Sequence, residues 1–327
     1  MNILIVGLGS MGQRRLRLIQ ANYPEISISG VEFSDERRLE IVEKYQIKGY
    51  SSIKDAVSKQ KFDAAFVCTP PATHQAVITE LLENDIHVFT ELNLINKGYD
   101  KLQRLAESRD KQIFMSSTLL YRKEIQKICE LVSSDKEPLQ YIYHMGQYLP
   151  DWHPWESYKK FFVGNKETNG CREIFAIQLP WILACFGKQV SLGYVSKKKI
   201  SSLEIDYPDS YLTALEHESG NRGMLIIDVV SRKATCYLEI VGEHLHLIWD
   251  GTPTGLKTYN FETKSFESIS LYETYEHNSK YAANIIEDAY LDEIRCFLNT
   301  LSGSGSAKYT LADDAETLKL IDRIEGE

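Results

Sequence analysis

Three glycines carry the first recognisable chemistry: Gly7, Gly9 and Gly12 stand at the spacing G-x-G-x-x-G in Gly7-Leu8-Gly9-Ser10-Met11-Gly12. Each removes a different obstacle. Gly7 lets the chain turn sharply, Gly9 puts no side chain between the backbone and a pyrophosphate, and Gly12 lets a helix lie close on a strand. The phosphates of a dinucleotide would then rest on the unpaired amides of the helix N-terminus. The spacing alone is a weak signal, so its surroundings decide. The apolar run Ile3-Leu4-Ile5-Val6 precedes it, and Leu16, Leu18 and Ile19 give the following segment a helical face. Glu32 lies ~20 residues past the last glycine, after the strand-like run 26–31, where a carboxylate would accept the adenosine ribose hydroxyls. That carboxylate would repel a 2′-phosphate, which favours NAD(H) over NADP(H). Arg37 and Arg38, a turn further on, would attract one.

A second concentration of functional side chains is the aromatic run Tyr148-Leu149-Pro150-Asp151-Trp152-His153-Pro154-Trp155-Glu156-Ser157-Tyr158. Trp152, Trp155 and Tyr158 suit stacking on a sugar ring, and the same cluster would equally fill a core or an interface. His244 and His246 alternate on a strand-like stretch with no third ligand in view, so no metal site is expected. Arg14, Arg15 and Arg17 open the first helix and read as solvated charges, the alternative being that one of them reaches a phosphate or an acidic patch.

These groups need elements to hold them. Apolar strand-like runs at 2–6, 26–31, 62–68, 86–90 and 112–115 alternate with the helical stretch that follows the glycine turn and with helical stretches at 35–45, 72–84 and 96–109. That order predicts an α/β domain, a parallel sheet with helices on both faces, over residues 1–120. The pattern then changes. Helices at 122–134 and 171–186 flank a strand at 139–147. Alternating strands follow at 189–198, 209–218, 223–231, 235–241 and 244–249, separated by short turns. This is an α+β domain over 121–327 with a mostly antiparallel sheet. Helices near 281–300 and 311–324 close the chain, the last expected to pack back on the first domain.

The 327 residues suffice for two such domains, with 43% hydrophobic and 25% charged residues. The net charge of −9 gives no electrostatic case for nucleic acid. No apolar run approaches the ~20 residues of a membrane span. The N-terminal apolar run enters the glycine turn without a small-residue cleavage site, unlike a signal peptide. The six cysteines are scattered and read as reduced thiols, so a cytoplasmic location is expected.

Taken together, these segments resemble the glucose–fructose oxidoreductase / inositol dehydrogenase (Gfo/Idh/MocA) family across essentially the whole chain. Gly7, Gly9 and Gly12 match its dinucleotide turn. Phe66-Val67-Cys68-Thr69-Pro70-Pro71-Ala72-Thr73-His74 matches its T-P-x-x-x-H segment, which runs beside the nicotinamide. His87-Val88-Phe89-Thr90-Glu91 matches the strand into its E-K-P motif, Cys236 to Asp250 its I-x-G-x-x-G-x-L hairpin, and Asp292-Glu293-Ile294-Arg295-Cys296-Phe297 its C-terminal helix. The resemblance implies a Rossmann domain, a second domain on an open sheet, and NAD(P)-dependent chemistry on a secondary alcohol or ketone of a sugar. It also implies a homodimer or homotetramer through strands 209–250, and places Thr69, Pro70, His74 and Glu91 at the cofactor.

The departures fall where that family does its chemistry. Glu91-Leu92-Asn93 puts leucine in place of the lysine. In the second domain Glu173, Ile177 and Pro180 occupy the positions of the family's Asp, His and a later Asp. Turnover would then need relocated groups. Glu173, His153 and Tyr121 are the candidates for proton transfer. Arg122, Trp152, Trp155 and Arg172 are the candidates for holding substrate, with Arg172 suited to a carboxylate or phosphate. The other reading is a non-catalytic NAD(H)- or sugar-binding regulator on the same fold. Non-redox chemistry with a resident NAD is a third.

Overall fold

The computed structural model describes residues 1–154, 156–275 and 286–326. The chain divides into two compact units, Met1–Thr118 with Tyr290–Glu316, and Leu119–Ala289 with Thr317–Glu327.

The first unit alternates β1 (Asn2–Val6), α1 (Ser10–Asn22), β2 (Ser27–Val31), α2 (Asp35–Tyr45), β3 (Lys48–Tyr50), α3 (Ile53–Lys59), β4 (Ala64–Val67), α4 (His74–Glu83), β5 (His87–Thr90), α5 (Tyr99–Ser108) and β6 (Ile113–Met115). Its six strands are parallel in the order β3-β2-β1-β4-β5-β6. The order reverses at β1. Right-handed crossovers before and after that point fall on opposite faces, leaving a crevice at the carboxyl ends of β1 and β4. Strands buried on both faces need continuous apolar runs, and Ile3 to Val6 and Ala64 to Val67 supply them. Phe66, Phe89 and Phe114 stack across β4, β5 and β6 at 4.6 and 5.2 Å. Phe297, also of the first unit, meets all three edge-on at 5.3–5.5 Å. The short polar segments β3 and α3 lack the periodicity that betrayed the others.

The second unit contains α6 (Lys123–Ser134), β7 (Gln140–Gly146), α7 (Gly170–Phe186), β8 (Val190–Lys198), β9 (Ser210–His217), β10 (Arg222–Asp228), β11 (Thr235–Val241), β12 (His246–Trp249), β13 (Lys257–Asn260) and β14 (Ser265–Ser268). The chain closes with α8 (Glu287–Leu301) and α9 (Leu311–Glu325). Residues 281–285 of the expected helix lie outside the described residues. The eight-stranded sheet runs β14-β13-β12-β11-β7-β10-β9-β8, with β7 and β10 its parallel pair. Tyr141, Tyr143, Leu225, Ile227 and Leu238 form its buried face, and Ile142, Leu212 and Tyr237 are exposed on the other. Burial of Thr213 and Leu215 with exposure of Leu212 gives β9 one covered face and one open face, which carries Leu212, Ala214 and Glu216. The alternation expected of His244 and His246 does not occur, because His244 lies in the turn before β12. Among the described residues no group of His, Cys, Asp and Glu could hold a metal, and no helix is long and apolar enough to cross a membrane.

Candidate functional site

The glycine turn has the form its sequence requires. Gly7 sits at φ +91°, and a Cβ there would lie 2.7 Å from the Cys68 carbonyl oxygen. A Cβ on Gly12 would strike the Gly7 carbonyl, so helix and strand pack as closely as backbone allows. At Gly9 a Cβ would meet nothing within 4 Å. Open space thus lies against bare backbone at the N-cap of α1, where no side chain caps the first amides. Buried Leu8 anchors the turn through its backbone, and Ser10 and Met11 open the helix. These residues fit a dinucleotide pyrophosphate, which would rest against the helix N-terminus.

Glu32, 8% exposed, ends β2 and accepts the Leu8 N–H at 3.0 Å and the Ser34 N–H at 3.2 Å. Arg37 approaches the same carboxylate at 3.6 Å. Arg38 is committed elsewhere, to the Glu32 carbonyl at 2.8 Å and to Asp35. Phe33, 78% exposed, follows Glu32 directly.

On the neighbouring strands the structure departs from expectation. Arg15 is fully buried rather than solvated, and Arg14 is buried over the Tyr290 ring at 4.4 Å. Arg15 Nε meets Glu91 at 2.6 Å, Nη2 meets Glu293 at 2.6 Å, and the guanidinium lies over Phe89 at 4.5 Å. Glu293 also accepts from Ser116 Oγ, the Ser117 N–H and Thr118 Oγ1. Glu91 therefore ties β5 to α1, and its carboxylate is already spent on an ion pair. Thr69 and Pro70 follow β4 beside the glycine turn: the Thr69 nitrogen lies 3.0 Å from a Cβ on Gly7. His74 is buried there, and burial holds its pKa below the usual imidazole value.

The second-unit candidates separate into distinct environments. Tyr121 is buried at the end of the 3₁₀ turn Thr118–Tyr121. Arg122 is buried beside it, paired with Glu124 at 2.5 Å, bonded to the Gly251 carbonyl and stacked near Trp249. The structure thus gives both a packing task. Arg172 is bonded to Asp322 at 2.6 Å and to Glu325, while its own N–H meets the Asn169 cap at 2.7 Å. Its charge holds the C-terminal end of α9, so carboxylates of this chain already engage its guanidinium. His153 pairs with Glu156 at 2.8 Å and packs on Phe161. Trp152 reaches the start of α7, its ring 3.5 Å from a Cβ on Gly170, and donates to the Gln147 carbonyl. Trp155 lies outside the described residues.

Glu173 is different. It sits in the first turn of α7, where Asn169 N-caps the helix. The residue as a whole is half-buried, but its Oε2 is sealed from water with no hydrogen-bond partner, and burial pushes the carboxyl up to about 8. Burial thus favours its protonated form at neutral pH. Ile177, one turn on, is exposed and cannot titrate. Pro180 is buried within the helix.

Three groupings had no single-residue signal in the sequence. Arg232, exposed, lies over the Tyr148 ring at 3.6 Å, and among the described residues no carboxylate pairs with it. The Leu149 N–H donates to the Val229 carbonyl, and Leu149 and Val229 both touch the Gly170 position, so this stack adjoins the N-terminus of α7. His144 pairs with Asp228 at 2.7 Å. A buried polar chain runs from His74 to Asp314.

Residues 1–117 match the model of the Gfo/Idh/MocA group, described as an oxidoreductase family with an NAD-binding Rossmann fold. Biliverdin reductase A of Homo sapiens is 25% identical over 133 residues, 38% of this chain. The match spans 44% of that relative's length. Among solved structures, biliverdin reductase of Synechocystis sp. in complex with biliverdin and NADP+ aligns at a TM-score of 0.75 and 16% identity, covering 100% of this chain and 99% of that one. The WlbA dehydrogenase of Chromobacterium violaceum, in complex with NADH and UDP-GlcNAcA, aligns at 0.76 and 14% identity, covering 99% and 92%. Both likenesses are of fold.

Proposed function

With an N-terminal unit of the NAD-binding Rossmann oxidoreductase type as premise, we propose that the chain transfers hydride between a nicotinamide cofactor and a secondary alcohol or ketone of a sugar derivative bearing an anionic group. Glu173 moves the proton. The observation that carries this reading is the buried carboxyl of Glu173, neutral up to a pH of about 8. A group protonated at working pH serves as a general acid. The cofactor, when bound, supplies the hydride to the carbonyl carbon. Glu173 gives its proton to the carbonyl oxygen as the alcohol forms, and solvent at the half-exposed side of the residue reprotonates the carboxylate. Reduction is therefore the favoured direction at neutral pH. Arg232, held over the Tyr148 ring, binds the anionic group in place of Arg172. Trp152 stacks on the sugar.

Glu32 supports NAD(H) as the preferred cofactor, because a 2′-phosphate would meet its carboxylate. The exposed face carrying Ile142, Leu212 and Tyr237 supports a homodimer or homotetramer. Six cysteines, none in a disulfide, support a reducing, cytoplasmic setting.

The second reading, a binding protein without turnover, is favoured by Leu92 at the lysine position and by the engagement of Glu91 with Arg15. The test follows NADH and NADPH oxidation against a panel of keto sugars, nucleotide-linked and acidic, with biliverdin as a separate arm because two relatives bear its name. Turnover of an acidic keto sugar that falls in Glu173→Gln by ~10²-fold or more supports the proposal. Saturable NADH binding with no turnover on the panel favours the binding protein. Turnover of biliverdin alone replaces the sugar.

A further inference from the structure

A chain of buried polar groups runs through the first unit. His74 Nε2 faces the Thr69 carbonyl at 2.6 Å. Its Nδ1 faces Asn93 Oδ1, with Thr90 Oγ1 at 3.3 Å. Asn93 Nδ2 donates to Tyr99 OH at 2.8 Å, Tyr99 OH donates to Asp314 Oδ2, and Tyr309 OH donates to Asp314 Oδ1 at 3.1 Å. His74, Asn93 and Asp314 are each at most 2% exposed. The other charged groups facing the two ends are Glu91, toward His74, and Asp313, toward Asp314.

Counting protons along this chain constrains it. A carbonyl oxygen only accepts, so a bond to Thr69 requires a proton on Nε2. With the Asn93 amide as placed, Nδ1 also faces an acceptor. His74 would then be an imidazolium and Asp314 a carboxylate, two separated charges in a dry interior. A half-turn of the Asn93 amide reverses the donors between Asp314 and His74 Nδ1. The Asp314 O–H donates to Tyr99, Tyr99 to Asn93 Oδ1, Asn93 Nδ2 to His74 Nδ1, and Nε2–H to Thr69. All partners are then satisfied and uncharged. Burial favours the neutral forms at both ends: it holds the His74 pKa down and pushes the Asp314 carboxyl up to about 7.

We propose that Asp314, Tyr99 and Asn93 are positioning residues that set which ring nitrogen of His74 carries the proton, and through it whether the Thr69 loop beside the glycine turn is held. When Asp314 loses its proton, Tyr99 must donate to the carboxylate and Asn93 Nδ2 to Tyr99. Asn93 Oδ1 then faces Nδ1, and the neutral imidazole moves its proton there. Nε2 is left bare against the Thr69 carbonyl, and the hold on the loop is lost. One proton leaves the network, and the tautomer inverts.

The readout is the ring-nitrogen NMR spectrum of 15N-histidine-labelled protein, with His74 assigned by its loss in His74→Gln. In the wild type the Nε2–H tautomer is expected at pH 5.5 and the Nδ1–H tautomer at pH 9. Asp314→Asn keeps a donor toward Tyr99 at every pH, so Nε2–H should persist throughout. Tyr99→Phe cuts the chain and should uncouple the tautomer from Asp314. NADH affinity should weaken about tenfold from pH 5.5 to 9 in the wild type more than in Asp314→Asn, the worth of roughly one hydrogen bond. A single wild-type tautomer at both pH values, or an inversion that survives in Asp314→Asn, overturns the proposal. The spectra are read without cofactor, so a protein that binds no NADH would end the oxidoreductase reading and leave this one standing.

Discussion

Replacing Glu173 with Gln should change how stability depends on pH, by an amount the structure sets. The folded-state pKa is raised from 4.5 to about 8, by burial alone. Between those values the folded protein holds a proton that the unfolded chain has released. Stability therefore falls as pH rises through this window and is flat above it. The slope is at most about 1.4 kcal/mol per pH unit, so the whole window is worth at most about 5 kcal/mol. Water reaching the exposed side of the residue lowers that ceiling. Glutamine has nearly the same shape and no titration. At pH 5 the variant should be no more stable than the wild type, because its amide inherits the unpartnered site. By pH 8.5 it should be the more stable of the two. The assay is thermal unfolding followed by circular dichroism from pH 4.5 to 9. At about 2–4 °C per kcal/mol, the difference in Tm should shift on the order of 10 °C across the series. Other titrating groups, including Asp314 with its own raised carboxyl, are common to both proteins and cancel in the comparison. Parallel curves would mean that Glu173 is ionised and solvated at pH 7, and the general-acid assignment would fall with its premise.

Breaking the ion cluster under β5 should be costly: Glu293→Ala strips Arg15 of one of two carboxylates in a fully buried site and should cost about 3 kcal/mol, read from urea unfolding. A loss within 0.5 kcal/mol would show that water replaces the carboxylate. Arg232→Ala should raise KM for an acidic keto sugar ~10–100-fold with kcat little changed, the worth of a charge-assisted hydrogen bond. Arg172→Ala should instead lower Tm, because it unpairs Asp322 and Glu325; the opposite pattern in the two variants would return the anion site to Arg172. NADH should bind at least tenfold tighter than NADPH by fluorescence titration, a difference of about 1.4 kcal/mol, and Glu32→Ala should narrow the gap. Equal wild-type affinities would leave Arg37 as the stronger influence.

What could be read in advance depended on how far apart the cooperating residues lie in the sequence. The cradle was legible because Gly7, Gly9, Gly12 and the strand before them act within a dozen residues, and their spacing is itself the mechanism. Long alternating strands such as β9 and β11 were legible for the same reason, whereas β3, β13 and β14 are too short and polar to show a period. Arg15 was misread as solvated because its partners, Glu91 and Glu293, come from distant segments. The pairing of Arg172 was not legible because a carboxylate at its side in space, Asp322, is far from it in sequence. Glu173 could be named as a candidate from its place in the helix. Its proton could not, since that follows from the absence of a partner, which only packing decides. Arg232 on Tyr148 and Asp314 at the end of its chain left no local mark at all.

The ion cluster and the phenylalanine stack also bear on the order in which a ribosome can complete this protein. Every strand of the parallel sheet has been made by residue 115, yet Glu293 and Phe297 are still to come. Until they arrive, Arg15 lacks half its counter-charge and Phe66, Phe89 and Phe114 lack their edge-on lid. The first unit must therefore wait, incompletely sealed, while more than half of the chain is translated. A fragment ending at residue 118 would inherit that unfinished state permanently, as a sticky intermediate rather than a self-sufficient cofactor-binding module.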